Sequence, residues 1–372
     1  MTEKRKRILL VSSAFYPEIS PRSYRATELA KEFIRQNLEV VVITKHRSYD
    51  YSDFCRSFPL ELFMWNKDSF PQIPVIKPQP LAKLSNYMSR FLKLFFEYPN
   101  IEEMFRVRGM LKTQSGYELM ISFAVPYPVH WGVALARNEH HRIADVWVAD
   151  CGDPYMGDVL DTFRKPFYFK YLERLFCRKA DFLTIPIESA RVGYYPEFHN
   201  KIRIIPQGFD FSSKNDITAK PDNTVPVFAY AGGFIPGIRD PEPLLEFLSK
   251  LNLRFKFYVF TNKPHLLDHY INPLKGKLFV SEYIPRDKLM QILSQMDFLV
   301  NFDNNTKLNS PSKLIDYSIT GRPVLNITKY FNHNDVLAFL QGDYSNKMIL
   351  PAPEYFHIKS VAKLFMDLIT EK

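Results

Sequence analysis

The chain has 372 residues, more than one ordinary hydrophobic core holds, so two domains are expected. Its 46% hydrophobic and 24% charged content excludes a disordered chain, and no run of about 18 apolar residues offers a membrane-spanning helix. A net charge of +9 suits an anionic partner such as a nucleotide or a phospholipid surface. Nucleic acid is set aside, because no RNA-recognition, zinc-finger or helix-turn-helix pattern is present.

In chain order, the charged start ahead of Ile8–Val11 mimics a secretory leader. The apolar run is too short for one and reads as a buried first strand. "YRATELAKEFIRQ", with Ala26, Leu29 and Phe33 at helical spacing, predicts a helix, and "EVVVIT" a second buried strand. A strand–helix–strand unit of this kind predicts a parallel sheet with helices on both faces. An irregular Pro- and aromatic-rich excursion covers residues 49–100. Inside it, "LAKLSNYMSRFLKLFFEYP" places Leu81, Leu84, Met88, Phe91, Phe95 and Tyr98 at three- and four-residue steps, with Lys83, Arg90 and Lys93 off that stripe. This is an amphipathic helix that either packs on the first domain or lies on an anionic membrane surface.

Alternation then resumes with strands "ELMISFA", "DVWVAD", "DFLTIP" and "IRIIPQGFD", and a helix over "FYFKYLERLFCRKA". Residues 212–224 are polar and aperiodic and read as a linker. Beyond it come strand candidates "VPVFAYA", "RFKFYVFT", "KLFV", "DFLVNF", "RPVLNI" and "KMIL", alternating with helices. The expectation is an α/β fold of two doubly wound, Rossmann-like domains, 1–211 and 225–355, facing across a cleft. The helix over 356–372 either closes the second domain or crosses back to the first. Cys55, Cys151 and Cys177 lie far apart without metal-type spacing and read as reduced thiols of a cytoplasmic protein.

Neither a G-x-G-x-x-G nor a P-loop motif occurs, so no standard dinucleotide or P-loop site is expected. Arg22 and Arg25 stand at a helix mouth, either to hold an anion or as solvated charges. Gly232 and Gly233 follow the first strand of the second domain, with Arg239 at the mouth of the next helix. Such a set brings backbone N–H groups and a guanidinium to a phosphate. Ser310, Pro311, Ser312 and Lys313 open a later helix, and Asp316 shares a face with Ser312. Taken singly, Ser310 is an ordinary cap and Asp316 an ordinary first-turn charge. Taken together with Arg239, they form two phosphate-friendly loops in one domain.

The runs "YAGGFIPGIRDPEPLLEFL", "YIPRDKLMQILSQMDFLVNF" and "SPSKLIDYSITGRPVL", in this order, resemble the nucleotide-sugar domain of retaining glycosyltransferases of family four, which have the two-domain GT-B fold. "ILLVSSAFYPEISPRSYRATELAKEF" and "KADFLTIPIESARVGYYPEFHNKIRIIPQGFD" resemble the opening and the close of that family's acceptor-binding first domain. The resemblance implies that Arg239 neutralises the donor diphosphate and that the Ser310–Lys313 loop touches donor phosphate and sugar. Asp316 takes the ribose-binding place of the second Glu in the family's Glu–seven residues–Glu motif. Leu308 stands where the first Glu falls, leaving Asp303 as a nearby substitute, and Gly233 replaces a frequent Arg.

"DVWVADCGDPYMGD" resembles the family's acceptor-side segment, which makes Asp153 the acceptor-facing carboxylate or, alternatively, a helix cap. His130 is a weaker acceptor-side candidate at a helix start, and Arg25 a phosphate-side one. No Asp-x-Asp motif stands at a strand end, in keeping with an enzyme that uses Arg, Lys and helix dipoles and no metal. The implied reaction is glycosyl transfer, with retention, from a nucleoside diphosphate sugar to a saccharide or lipid-diphosphate acceptor in polysaccharide or glycolipid synthesis. The nucleotide sugar is a co-substrate, and no further cofactor is expected. A sugar-nucleotide epimerase and a degenerate binding subunit remain as alternatives.

Overall fold

A computed structural model describes residues 5–65, 69–71, 81–157, 164–210, 223–303 and 313–372. The chain divides into two compact units, Met1–Asp210 with Phe356–Lys372, and Phe211–Tyr355.

The first unit is built on a seven-stranded parallel sheet. Its strands are β1 (Arg7–Ser12), β2 (Glu39–Lys45), β3 (Glu61–Trp65), β4 (Tyr117–Phe123), β5 (Ala144–Asp150), β6 (Phe182–Ile185) and β7 (Ile202–Ile204), in the order β3-β2-β1-β4-β5-β6-β7. Ile8, Leu9, Leu10 and Val11 are all fully buried, as a strand covered on both faces requires. One face carries a core around Trp131, Trp147 and Phe176, and the other a core around Phe15, Phe33 and Phe123. The helices are α1 (Pro21–Arg35), α2 (Ser52–Ser57), α3 (Leu81–Phe96), α4 (Glu102–Leu111), α5 (Pro128–Ala136) and α6 (Phe169–Lys179). Ser20 caps α1 by accepting from the Ser23 N–H, and Pro21 sits where its missing N–H costs nothing.

The second unit holds β8 (Val227–Ala231), β9 (Lys256–Phe260), β10 (Leu278–Ser281), β11 (Phe298–Phe302) and β12 (Val324–Ile327), in the parallel order β10-β9-β8-β11-β12. Its helices are α7 (Glu242–Ser249), α8 (Asp268–Ile271), α9 (Arg286–Ser294), α10 (Lys313–Thr320) and α11 (His333–Leu340). The strands are added outward from β8 first toward β10 and then, from β11, on the other side, so the strand order switches between β8 and β11, and ligands of open α/β sheets bind beyond the carboxyl ends at such a point.

The last helix, α12 (Ile358–Glu371), belongs to the first unit. Ile358, Val361, Ala362, Phe365 and Leu368 enter the core beside α1, and Phe209 and His357 pair their backbones where the chain returns.

Two elements differ from the sequence reading. β3 lies inside the stretch read as irregular; it is an edge strand with Glu61 and Phe63 turned outward, and its short apolar run, Leu62–Trp65, is set in Pro- and aromatic-rich sequence that masks it. "KMIL" forms no strand. Only the Met348 N–H reaches β12, at Val324 O (2.8 Å), and Pro351 follows with no N–H to extend a ladder. Most of the expected linker lies outside the described residues.

Candidate active site

The second unit gathers its polar groups at the carboxyl ends of β8 and β11. Gly232 and Gly233 follow β8 directly. A Cβ on Gly232 would stand 2.8 Å from Tyr230 Oη and 3.5 Å from Lys313 Cδ, and one on Gly233 3.2 Å from Asn262 Oδ1. Glycine is therefore what lets the chain pass between these side chains. The turn after the glycines closes with Ile235 N–H on Arg239 O (3.2 Å) and returns Arg239 toward the same space.

Lys313 arrives from α10. Tyr317, one turn on, is fully buried and its Oη accepts the Ala231 N–H at 2.9 Å, docking α10 on β8. Residues four apart share a helix face, so Lys313 points the same way. Its stem is partly exposed, but its Nζ is shielded from solvent and lies 4.3 Å from the centroid of the Tyr230 ring. Neither Lys313 Nζ nor Arg239 Nε has a hydrogen-bond partner among the described residues. Burial and the neighbouring Arg239 guanidinium pull the Lys313 ammonium down to about 7, with Asp303 opposing them. The Tyr230 hydroxyl, which donates to Gly233 O at 3.0 Å, is pushed up by burial, as is that of Tyr283. Gly321, at φ +65°, ends α10 in the left-handed conformation that suits glycine.

Asp316 turns toward α9. Arg286 Nε and Nη2 donate to its Oδ1 at 3.0 and 2.5 Å. A ribose diol bound here would share the carboxylate with Arg286. Ser310, Ser312 and Leu308 lie outside the described residues. Tyr283, Asn262 and Arg286 were not singled out from sequence, because aromatic, amide and arginine side chains in loops carry no motif until the fold brings them together.

In the first unit the anticipated residues separate. Arg25 is 2% exposed and gives a bidentate pair to Asp150, Nε to Oδ2 and Nη2 to Oδ1, both 2.6 Å. Nη1 and Nη2 also donate to Pro206 O (2.5 Å) and Ile205 O (3.1 Å), and Phe365 of α12 covers the guanidinium. The expected phosphate-side role has no exposed guanidinium to act through; Arg25 ties α1 to β5 and to the chain after β7. His130 is fully buried, with Nδ1 2.8 Å from Ser122 Oγ and Nε2 3.7 Å from Cys151 Sγ. Burial holds its imidazole down at about 3 and pushes the Cys151 thiol far up, so this Cys–His pair is inert packing and His130 faces no acceptor.

Asp153, by contrast, is exposed, on a loop that is firmly anchored. Tyr127 Oη donates to Asp153 O at 2.6 Å, Tyr155 Oη to Glu97 Oε1 at 2.8 Å, and the Met156 N–H to Glu173 Oε1 at 3.3 Å. A Cβ on the preceding Gly152 would fall 1.4 Å from Arg22 Nη2, so only glycine admits the arginine there. No described residue after Asp153 continues it into a helix before Gly157.

Two hollows test the assignment. A cavity of about 110 Å³ beside Ile238, Asp240, Phe302 and Lys329 is far smaller than pockets that enclose whole ligands. A groove of about 370 Å³ in the first unit contains Arg137, Lys179 and Lys372, but each of these already bonds Asp181 or backbone carbonyls. Among the described residues, the buried cationic nitrogens without a hydrogen-bond partner are Lys313 Nζ and Arg239 Nε, near the β8 and β11 ends, and Arg174 Nε, which faces the Glu197 carboxylate at 3.4 Å.

No protein-family model matches the chain, and no curated protein matches it in sequence. Solved structures do match in fold. A glycosyltransferase from Rickettsia africae ESF-5 aligns over 99% of this chain and 99% of its own, with a TM-score of 0.61 at 11% identity. The lipopolysaccharide outer core galactosyltransferase WaaB, in its apo form, aligns over 98% and 99%, with a TM-score of 0.60 at 11% identity. Anabaena HepE, in complex with UDP and glucose, aligns over 99% and 100%, with a TM-score of 0.54 at 10% identity. At these identities the likeness is one of fold: the chain has the two-domain α/β architecture of GT-B glycosyltransferases.

Proposed function

We propose that this protein is a retaining glycosyltransferase that takes its sugar from a nucleoside diphosphate donor bound in the second unit. The observation that carries the reading is the pair of buried cationic atoms, Lys313 Nζ and Arg239 Nε, that have no hydrogen-bond partner among the described residues and stand beside Gly232-Gly233 at the sheet's switch point. Burying a cation without a counter-charge is costly, and a diphosphate would offset that cost while the glycine backbone lets it approach. Asp316 accepts hydrogen bonds from the ribose diol and is shared with Arg286; Ser310 and Ser312, outside the described residues, enter as further phosphate contacts from their sequence position alone.

The reaction is written as a front-side displacement. The bond from the anomeric carbon to the diphosphate oxygen breaks, the bond to the acceptor oxygen forms on the same face, and the acceptor proton passes to the leaving phosphate. Lys313 and Arg239 stabilise the charge that grows on the diphosphate, the task a metal performs in other enzymes. Asp153, exposed on its anchored loop, orients the acceptor hydroxyl. The acceptor is a saccharide or lipid-diphosphate, for polysaccharide or glycolipid synthesis at the cytoplasmic side.

The test is a panel of nucleotide sugars followed for nucleotide release with and without saccharide and lipid-linked acceptors, with the product anomer read by NMR. Acceptor-dependent release with retained configuration is expected. Isomerised sugar without release would make the protein an epimerase, and binding without turnover a degenerate subunit.

A further inference from the structure

No described helix is long and apolar enough to cross a membrane, yet α3 leaves most of its apolar side chains in solvent. Tyr87, Met88, Phe91 and Phe96 are 71%, 50%, 48% and 55% exposed, while Ser85 is its one buried residue among those described. A second segment continues this surface. Tyr168, just before α6, donates its hydroxyl to the carbonyl of Phe95, and its neighbours Phe167 and Tyr171 are 71% and 60% exposed. The buried Phe169 anchors the segment against Trp131, with ring centroids 5.7 Å apart. Aromatic side chains on two elements, far apart in sequence, thus share one side of the first unit. Patches of this kind mark interaction surfaces.

The charges identify the occupant. Residues 81–96 and 164–171 carry six cations, Lys83, Arg90, Lys93, Arg164, Lys165 and Lys170, and no carboxylate; Glu97, one residue beyond α3, is buried and pairs inward with Lys165. Lys170 lies 5.1 Å from the Tyr171 ring centroid, a cation held against the aromatic surface. Two copies joined by this patch about a two-fold axis would set like charges face to face, which disfavours a dimer. An anionic lipid surface meets both demands at once: headgroups take the cations, and the headgroup–acyl boundary takes the Phe, Tyr and Met side chains.

We propose that α3 and the Phe167–Tyr171 segment form one composite face that seats the first unit on an anionic bilayer. This goes beyond the donor reading and does not depend on it, since every residue involved lies in the other unit.

The test uses the full chain and vesicle flotation. Vesicles of equimolar phosphatidylglycerol and phosphatidylcholine should carry the protein up, and pure phosphatidylcholine vesicles should leave it behind. Replacing Phe91→Ser should lower vesicle affinity about tenfold, as should Tyr171→Ser, because each removes an aromatic group from the interface. Equal weakening from both elements is what a composite face requires. Thermal melting unchanged from wild type shows that neither variant acts by unfolding, and Phe91→Trp offers a gain-of-signal control, with its emission shifting to the blue only with anionic vesicles. Absence of flotation with phosphatidylglycerol, or no shift in the Trp variant, overturns the proposal. So does a concentration-dependent dimer in sedimentation that Phe91→Ser abolishes, because it makes the occupant a second copy.

Discussion

Arg25 and Lys313 are both cations placed beside a sheet by a helix, and they differ in everything that surrounds them. Arg25 meets a carboxylate bidentately and two carbonyls besides, in a setting closed by Phe365. Lys313 meets an aromatic face and another cation, and its ammonium has no hydrogen-bond partner among the described residues. A satisfied buried charge holds a fold together, and an unsatisfied one is an argument for a ligand. The contrast holds for these two sites: Arg25 is spent on partners within the first unit, and the second unit keeps Lys313 Nζ and Arg239 Nε without a hydrogen-bond partner among the described residues.

The largest way to break the comparison is to open the satisfied pair. Arg25→Met leaves Asp150 buried with only Thr184 Oγ1 (2.6 Å) as a close donor and Arg22 at 3.9 Å. A loss of about 3–5 kcal/mol in unfolding free energy is expected by denaturant titration, because the residual charge stays out of water. A loss near zero would show that Asp150 finds water or Arg22 in its place. It would also remove the claim that this pair is structural.

Arg239→Ala tests the other side. Stability should hardly change, since the side chain makes no hydrogen bond to the described residues, while turnover should fall about 10²–10³-fold, the scale for removing one donor from a site of developing negative charge. Normal turnover with any donor would remove the diphosphate assignment.

Lys313 sharpens the comparison through pH. Burial and Arg239 pull its ammonium down to about 7 in the protein alone, so below that pH the cation is already present. Above it, binding a diphosphate must bring in a proton, and nucleotide affinity should fall with rising pH, up to about tenfold per unit. Lys313→Arg stays protonated and should bind with a flat profile over the same range. Titration calorimetry with UDP, GDP and ADP between about pH 6 and 9 reads both, and a flat wild-type profile would show that no proton is taken up.

The outline of both sheets was legible because continuous runs such as Ile8–Val11 and Phe298–Phe302 can be little else than strands buried on both faces. Edge elements were not: β3 shows one face to solvent, and "KMIL" has strand composition but gives β12 a single backbone bond, from Met348, and forms no ladder. The candidate site was legible where glycine and a basic residue stand at fixed steps, as at Gly232, Gly233 and Arg239. It failed at Arg25 and His130 because a motif position says nothing about what lies opposite. The carboxylate that consumes Arg25 is 125 residues away, and the serine and cysteine that flank His130 come from β4 and from the loop after β5.

The last effect belongs to His130. Unfolded, its imidazole takes a proton near pH 6.5, whereas the folded one waits until about 3. The unfolded state therefore binds more protons in that window, and the stability His130 contributes above 6.5 drains away as pH falls through it. Glu173 runs the other way: burial raises its carboxyl to about 7, so its contribution is full below the ordinary carboxylate range and is lost as pH rises through 7. The two oppose each other, and the wild-type curve alone separates neither. The difference between wild type and His130→Asn does. The variant should be less stable at neutral pH, through lost packing against Phe176 (ring centroids 5.0 Å apart) and the lost Ser122 bond, and the gap should close as pH is lowered from about 6.5 toward 4. A gap that stays constant would mean the imidazole accepts its proton inside the fold, and that the first unit is less completely closed than its hydrogen bonds imply.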